Sequence, residues 1–202
     1  LVAVSKTKPN ESVLEAYNAG QRIFGENRIQ ELITKSEELP KDIDWHMIGH
    51  LQSKKVKLIA PFISMIHSVD SAKLLGVIND QAKKNNRVID VLLQFHVAQE
   101  ESKFGLSLSE AKDILNSSDY ASMLNIRVRG VMGMATFTDD ASQVRNEFKS
   151  IKEIFNDLKT NLFAGVASFN QISMGMSGDY QIAIKEGSTM IRVGSTIFGE
   201  RH

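Results

Sequence analysis

The chain has 202 residues, 42% hydrophobic and 24% charged, with 24 lysines and arginines balancing 24 aspartates and glutamates. This composition fits one substantial globular domain, and the zero net charge offers no basic surplus for nucleic acid or an anionic membrane. There is no cysteine, which removes disulfides, zinc–thiolate sites and thiol catalysis together and suits a reducing, cytoplasmic compartment.

Strand and helix patterns alternate from end to end. Strand-like runs cover 1–6, 22–26, 44–49, 62–69, 89–97, 126–135, 164–173 and 189–194. Patterns of period 3.6 lie between them. The first helix covers 12–19, capped by Asn10 or Ser12 and closed by Gly20; the second covers 27–39 and stops at Pro40. A third over 51–60 ends at Pro61, and a fourth over 71–86 carries Leu74, Leu75, Val77 and Ile78 on its inner stripe. Ser107 and Ser109 cap the fifth, 140–160 is the longest, and 180–186 closes at Gly187. A charged surface turn is expected near Lys35 to Asp44.

Eight strands with helices between them predict a single α/β domain over 1–202, a (β/α)8 TIM-type barrel. A doubly wound open sheet is the alternative, but it should begin with a glycine-rich turn after its first strand. That turn here is Thr7-Lys8-Pro9-Asn10, without glycine. The sequence begins at Leu1, inside what reads as a core strand, so a preceding segment is expected to be missing.

The first strand ends in an unusual way, with Lys6, Lys8 and Pro9 after an apolar start. Alternation puts Val2, Val4, Lys6 and Lys8 on one side, and Leu1, Ala3, Ser5 and Thr7 on the other. An amine at the end of a core row, with a second ammonium nearby, is disposed to lose its charge and attack a carbonyl. The competing reading is a solvated strand end with both lysines reaching water. In such barrels chemistry gathers at the C-terminal ends of strands, with phosphate on the loops after strands seven and eight. Gly194, Ser195 and Thr196 make a candidate phosphate cradle. Arg192, between Ile191 and Val193, needs an acceptor.

Five motifs occur in order: Val4-Ser5-Lys6-Thr7-Lys8-Pro9; Phe24-Gly25-Glu26-Asn27; His46 to Lys55; Ser173-Met174-Gly175-Met176-Ser177; and Gly187 to Gly194. Together they resemble the pyridoxal phosphate homeostasis protein family, a single-domain relative of the alanine racemase N-terminal barrel. The resemblance implies that pyridoxal 5'-phosphate forms an internal aldimine with Lys6, and that Ser173, Gly194 and Ser195 match the phosphate-binding positions. It puts Arg192 against the pyridine nitrogen and Asn27 near the ring. A guanidinium cannot take a proton there, so the ring nitrogen stays unprotonated and the cofactor is a poorer electron sink. Lys103 resembles a further family lysine near the pocket. The family's N-terminal helix, ahead of the first strand, is absent here, and this chain stops soon after the last motif.

The resemblance implies a cytoplasmic, monomeric protein acting in homeostasis of the cofactor and of amino and keto acids. It would hold pyridoxal phosphate without robust catalysis, with apo pyridoxal phosphate enzymes as candidate recipients. The alternative is a racemase-like enzyme completed by a partner. Racemisation needs acid–base groups on both faces of the α-carbon, and none of Tyr17, Tyr120 and Tyr180 falls at a strand end. A third reading is a scaffold for a protein or RNA partner, stabilised by the cofactor.

Other constellations are weaker. His46 and His50, four apart on a strand, would stand roughly 13 Å apart, too far to share a metal. His67 and His96 are expected to satisfy strand ends. Ser5 and Lys6 face opposite ways, against a serine–lysine pair, and Gln52 to Lys57 reads as a solvated helix face.

Overall fold

Eight parallel strands run side by side around a barrel in the computed structural model, which describes residues 1–98 and 104–199. They are β1 (Val2–Val4), β2 (Ile23–Glu26), β3 (Asp44–Met47), β4 (Met65–Val69), β5 (Ile89–Gln94), β6 (Ile126–Met132), β7 (Gln171–Ser173) and β8 (Arg192–Val193). Neighbours pair in the order β7-β6-β5-β4-β3-β2-β1-β8. A parallel bridge between Ser173 and Met190 joins the two ends of that order. The expected barrel forms, with each strand shorter than its apolar run. The chain leaves the ladder where loops begin: β1 stops at Val4, and Lys6 already lies in a turn.

The helices are α1 (Asn10–Asn18), α2 (Ile29–Glu38), α3 (Val56–Ile59), α4 (Ala72–Lys84), α5 (Leu108–Leu115), α6 (Ser118–Ala121), α7 (Ala141–Asn161), α8 (Tyr180–Lys185) and α9 (Ser195–Phe198). A 3-10 turn at Ser53–Lys55 precedes α3. Ser71 caps α4 by accepting from Leu74 N, Asp140 caps α7, and Ser107 closes a reciprocal capping box with Glu110 on α5. The start of α1 differs from expectation. Asn10 and Ser12 lie inside the helix, and Pro9, with its φ of −69°, sets the entry without a side-chain cap. The one-turn helices α6 and α9 are too short to show a periodic pattern.

Alternation along the strands divides the core in two. Val2, Met65, Leu92, Met132 and Met190 fill the barrel interior, whereas Ala3, Phe24, Trp45, Ile66, Val91 and Val131 face the helices. α7 closes that outer layer with Val144, Phe148, Ile151, Phe155 and Leu158. Between β5 and β6 the register shifts, so that Leu92 stands opposite Gly130. Gly130 has a φ of +153°, and a Cβ there would lie 1.8 Å from Gln171 O. Only glycine admits that approach of β7.

The stretch from Lys35 to Asp44 is not wholly a surface turn. Ile29, Leu32 and Lys35 recur every three residues along α2 and form its buried stripe, so Lys35 faces the barrel wall and is 5% exposed. No helix among the described residues is long and apolar enough to cross a membrane.

Candidate functional site

A cavity of about 430 Å³ opens where the loops leave the C-terminal ends of the strands. Its wall includes Val4 at the end of β1 with Lys6 and Lys8 after it, Asn27 after β2, Met134 to Asp139 after β6, Ser177 and Asp179 after β7, and Arg192, Gly194 and Ser195 on and after β8. Of the residues singled out in the sequence, Lys6, Asn27, Arg192, Gly194 and Ser195 therefore converge on one cavity. Lys103 lies outside the described residues.

The alternation expected at the first strand end carries through. Val4, Lys6 and Lys8 all reach the cavity, while Ser5 is fully buried on the other side of the wall, its hydroxyl donating to Glu26 Oε1 at 2.6 Å. Asn27 brings a carbonyl oxygen, Oδ1, that is buried and unpartnered among the described contacts.

Ser173 is placed differently from the other candidates. It is fully buried beneath the cavity and does not line it. Its Oγ accepts from Arg192 Nη1 at 2.6 Å and lies 3.0 Å from His67 Nδ1. Having accepted from the guanidinium, the serine has its own proton to give to His67. His67 Nε2 then stands 2.9 Å from His46 Nδ1, which fixes a chain from Arg192 through Ser173 and His67 to His46. Burial holds both imidazoles neutral: His46 is lowered to about 3, and His67 falls well below 6.5. His67, expected to satisfy a strand end, instead bridges Ser173 and His46. The two histidines support Arg192 from below, and only the barrel closure that brings β3, β4, β7 and β8 together reveals it.

Arg192 is 4% exposed, and its Nη2 also donates to Gly133 O at 3.1 Å. Burial lowers its pKa to about 10, with the charge of Asp179 opposing that fall, so the guanidinium remains charged near neutrality.

Ser177 takes the place at the cavity wall that Ser173 does not. Its Oγ accepts from Gly194 N at 3.2 Å, tying the loop after β7 to the start of α9. The signal lay within the Ser173-Met174-Gly175-Met176-Ser177 run. Gly175, with a φ of +97°, turns the chain, so face alternation no longer applies beyond it. The opening turn of a helix leaves backbone N–H groups without intrahelical acceptors, and here that turn begins at Ser195. On the far rim, Glu147 of α7 is buried and accepts from Thr136 N at 2.6 Å and Thr136 Oγ1 at 2.8 Å, anchoring the loop after β6.

Three cationic side chains, Lys6, Lys8 and Arg192, thus share the cavity with Ser177 and Ser195, against the carboxylates of Asp139 and Asp179. Amine, guanidinium, hydroxyls and helix-start N–H groups suit a compact anionic ligand with a carbonyl and ring acceptors, and the orphaned Asn27 Oδ1 calls for a donor such as a ring hydroxyl.

The family described as alanine racemase, N-terminal domain, matches residues 1–202. The pyridoxal phosphate homeostasis protein of Aquifex aeolicus is 37% identical over 202 residues, covering 100% of this chain and 86% of that protein. The human protein of that name is 43% identical over 213 residues, covering 100% of this chain and 76% of its own. PipY of Synechococcus elongatus, solved with pyridoxal phosphate bound, superposes with a TM-score of 0.88 at 34% identity, covering 98% of this chain and 91% of PipY.

Proposed function

The chain belongs to the alanine racemase N-terminal domain family and, within it, to the pyridoxal phosphate homeostasis proteins; from that premise we propose that it holds pyridoxal 5'-phosphate on Lys6 and serves homeostasis of the cofactor and of amino and keto acids. The observation that carries this reading is the convergence of Lys6 and Arg192, from opposite ends of the sequence, on one cavity.

When bound, the cofactor supplies an aldehyde, with which a lysine amine condenses, releasing water, to a Schiff base. In this reading Lys6 is that amine. Arg192 faces the ring nitrogen as a donor that cannot accept a proton, held in place by Ser173 and Gly133. Gly194, Ser195 and Ser177 receive the phosphate, and Asn27 lies beside the ring, its unsatisfied Oδ1 an acceptor for a ring hydroxyl. Ser173, which the family resemblance pairs with the phosphate, acts on the ring side through Arg192.

The reading gives the protein a holding role without robust turnover. Two-sided proton transfer at an α-carbon needs a group opposite the lysine, and no tyrosine lines the cavity among the described residues. Tyr17 is committed to Asp42, at 2.7 Å. The reading further takes the protein to be a cytoplasmic monomer that yields its cofactor to apo pyridoxal phosphate enzymes. The racemase alternative requires fast α-proton exchange on an amino acid that Lys6→Ala abolishes.

Titration with pyridoxal phosphate, borohydride reduction and peptide mapping test the reading. A single reduced adduct on Lys6 supports it. No adduct, or one spread over surface lysines, overturns it.

A further inference from the structure

Lys6 sits in a turn whose backbone is tied on both sides by one helix. The peptide before it ends in Ser5 O, which accepts from Lys35 Nζ at 2.7 Å. The peptide after it begins at Thr7 N, which donates to Glu31 Oε2 at 2.7 Å. Lys35 and Glu31 are four apart on α2, with Nζ and Oε2 3.9 Å from each other. The same Lys35 amine lies 2.7 Å from Glu26 Oε1, which also accepts the Ser5 hydroxyl at 2.6 Å. Lys8 N closes the turn onto Ser5 O at 3.0 Å. Together these bonds fix both peptide planes that flank the Lys6 Cα, and so the direction in which its side chain leaves the wall.

Two features show that the arrangement holds the turn against its own preference. Thr7 adopts a φ of +64°, a region that β-branched residues avoid, and its N–H is the group Glu31 captures. Lys35 and Glu26, with side chains 6% and 0% exposed, are removed from water, where an ion pair gains little net stability over apolar packing. An apolar pair would close the gap between α2 and the wall but could not bond Ser5 O.

We propose that Glu31, Lys35 and Glu26 are positioning residues that clamp the Lys6 turn from behind the barrel wall and aim its amine into the cavity. The proposal rests on the reading of Lys6 as the attachment point and adds what orients it.

The test uses the full chain with Glu31→Leu, which removes the acceptor at a side chain 25% exposed, and Glu31→Gln, which keeps an acceptor oxygen. The Glu26→Gln/Lys35→Met pair is a second disruption that leaves no buried charge unpaired. Three readouts are taken: melting temperature, exchange of the Thr7 amide, and the rate and site of borohydride-trapped pyridoxal phosphate. Glu31→Leu is expected to melt near the wild type, to lose Thr7 protection and to form the Lys6 adduct about tenfold more slowly, the weight of one charge-assisted bond. Part of its adduct should move to Lys8, and Glu31→Gln should restore the wild-type pattern. Wild-type rate and site selectivity in both Glu31→Leu and the double variant would overturn the clamp while leaving the cofactor reading intact. A wild type that forms no Lys6 adduct would overturn both.

Discussion

Arg192 donates from Nη1 to Ser173 Oγ at 2.6 Å across the seam where β7 meets β8 and the barrel closes. The contact gives the buried guanidinium an acceptor and gives the serine a task other than ligand binding. A Ser173→Ala variant leaves that guanidinium N–H without its partner, at a cost of about 1–3 kcal/mol in urea unfolding. The freed Arg192 should also shift the visible absorption of bound pyridoxal phosphate. An unchanged spectrum and an unchanged unfolding midpoint would remove Ser173 from the support of Arg192.

Ser177 is expected to read the phosphate. In Ser177→Ala, affinity for pyridoxal phosphate should fall about tenfold, the worth of one hydrogen bond to a charged group, while affinity for pyridoxal stays put. Titrating both ligands into both proteins gives the answer directly. Equal losses for the two ligands would mean that Ser177 only braces Gly194.

His46 and His67 tie stability to pH. Both are neutral in the fold, His46 lowered to about 3 and His67 well below 6.5 by burial. The unfolded chain therefore binds more protons below about pH 6.5, and stability falls as pH falls. With both titrating, the slope approaches about 2.7 kcal/mol per pH unit. Urea midpoints measured between about pH 7 and pH 5 should drop steeply in the wild type and less so in His67→Gln. A flat wild-type profile would show that the imidazoles are not held neutral.

Two glycine substitutions should act in opposite directions. Gly130→Ala forces a Cβ to within 1.8 Å of Gln171 O at a φ of +153°, and should cost about 3 kcal/mol or more. Gly76→Ala, inside α4, meets only Met123 Cε at 3.6 Å, and should stabilise by about 0.5–1 kcal/mol. Thermal melts of the two variants decide both, and a tolerated Gly130→Ala would mean that β7 can move away.

The clamp behind Lys6 shows where pattern reading stops. Lys35 belongs by residue type to a charged turn, yet its three-residue spacing from Leu32 and Ile29 places it on the inward stripe of α2. Its partner Glu26 lies on another element, and nothing in the sequence links the two. His46 and His67 were likewise visible as residues but not as neighbours, since a hydrogen bond between adjacent strands depends on register.

Local chemistry along the chain was enough for the eight strands and the longer helices between them, though not for the one-turn α6 and α9. Period-2 and period-3.6 patterns, proline and glycine stops and strand-end lysines act over a few residues, so they are written in short windows and determine a barrel with Lys6 and Arg192 at its mouth. What only the tertiary structure decided is which side chains meet. The turn at Gly175 brought Ser177 to the cavity wall and left Ser173 under Arg192. Strand register and barrel closure joined His46, His67 and Ser173, and the packing of α2 on β2 and β3 put Glu31 and Lys35 behind Lys6. Those contacts depend on distances between residues far apart in sequence, and the folded barrel sets those distances.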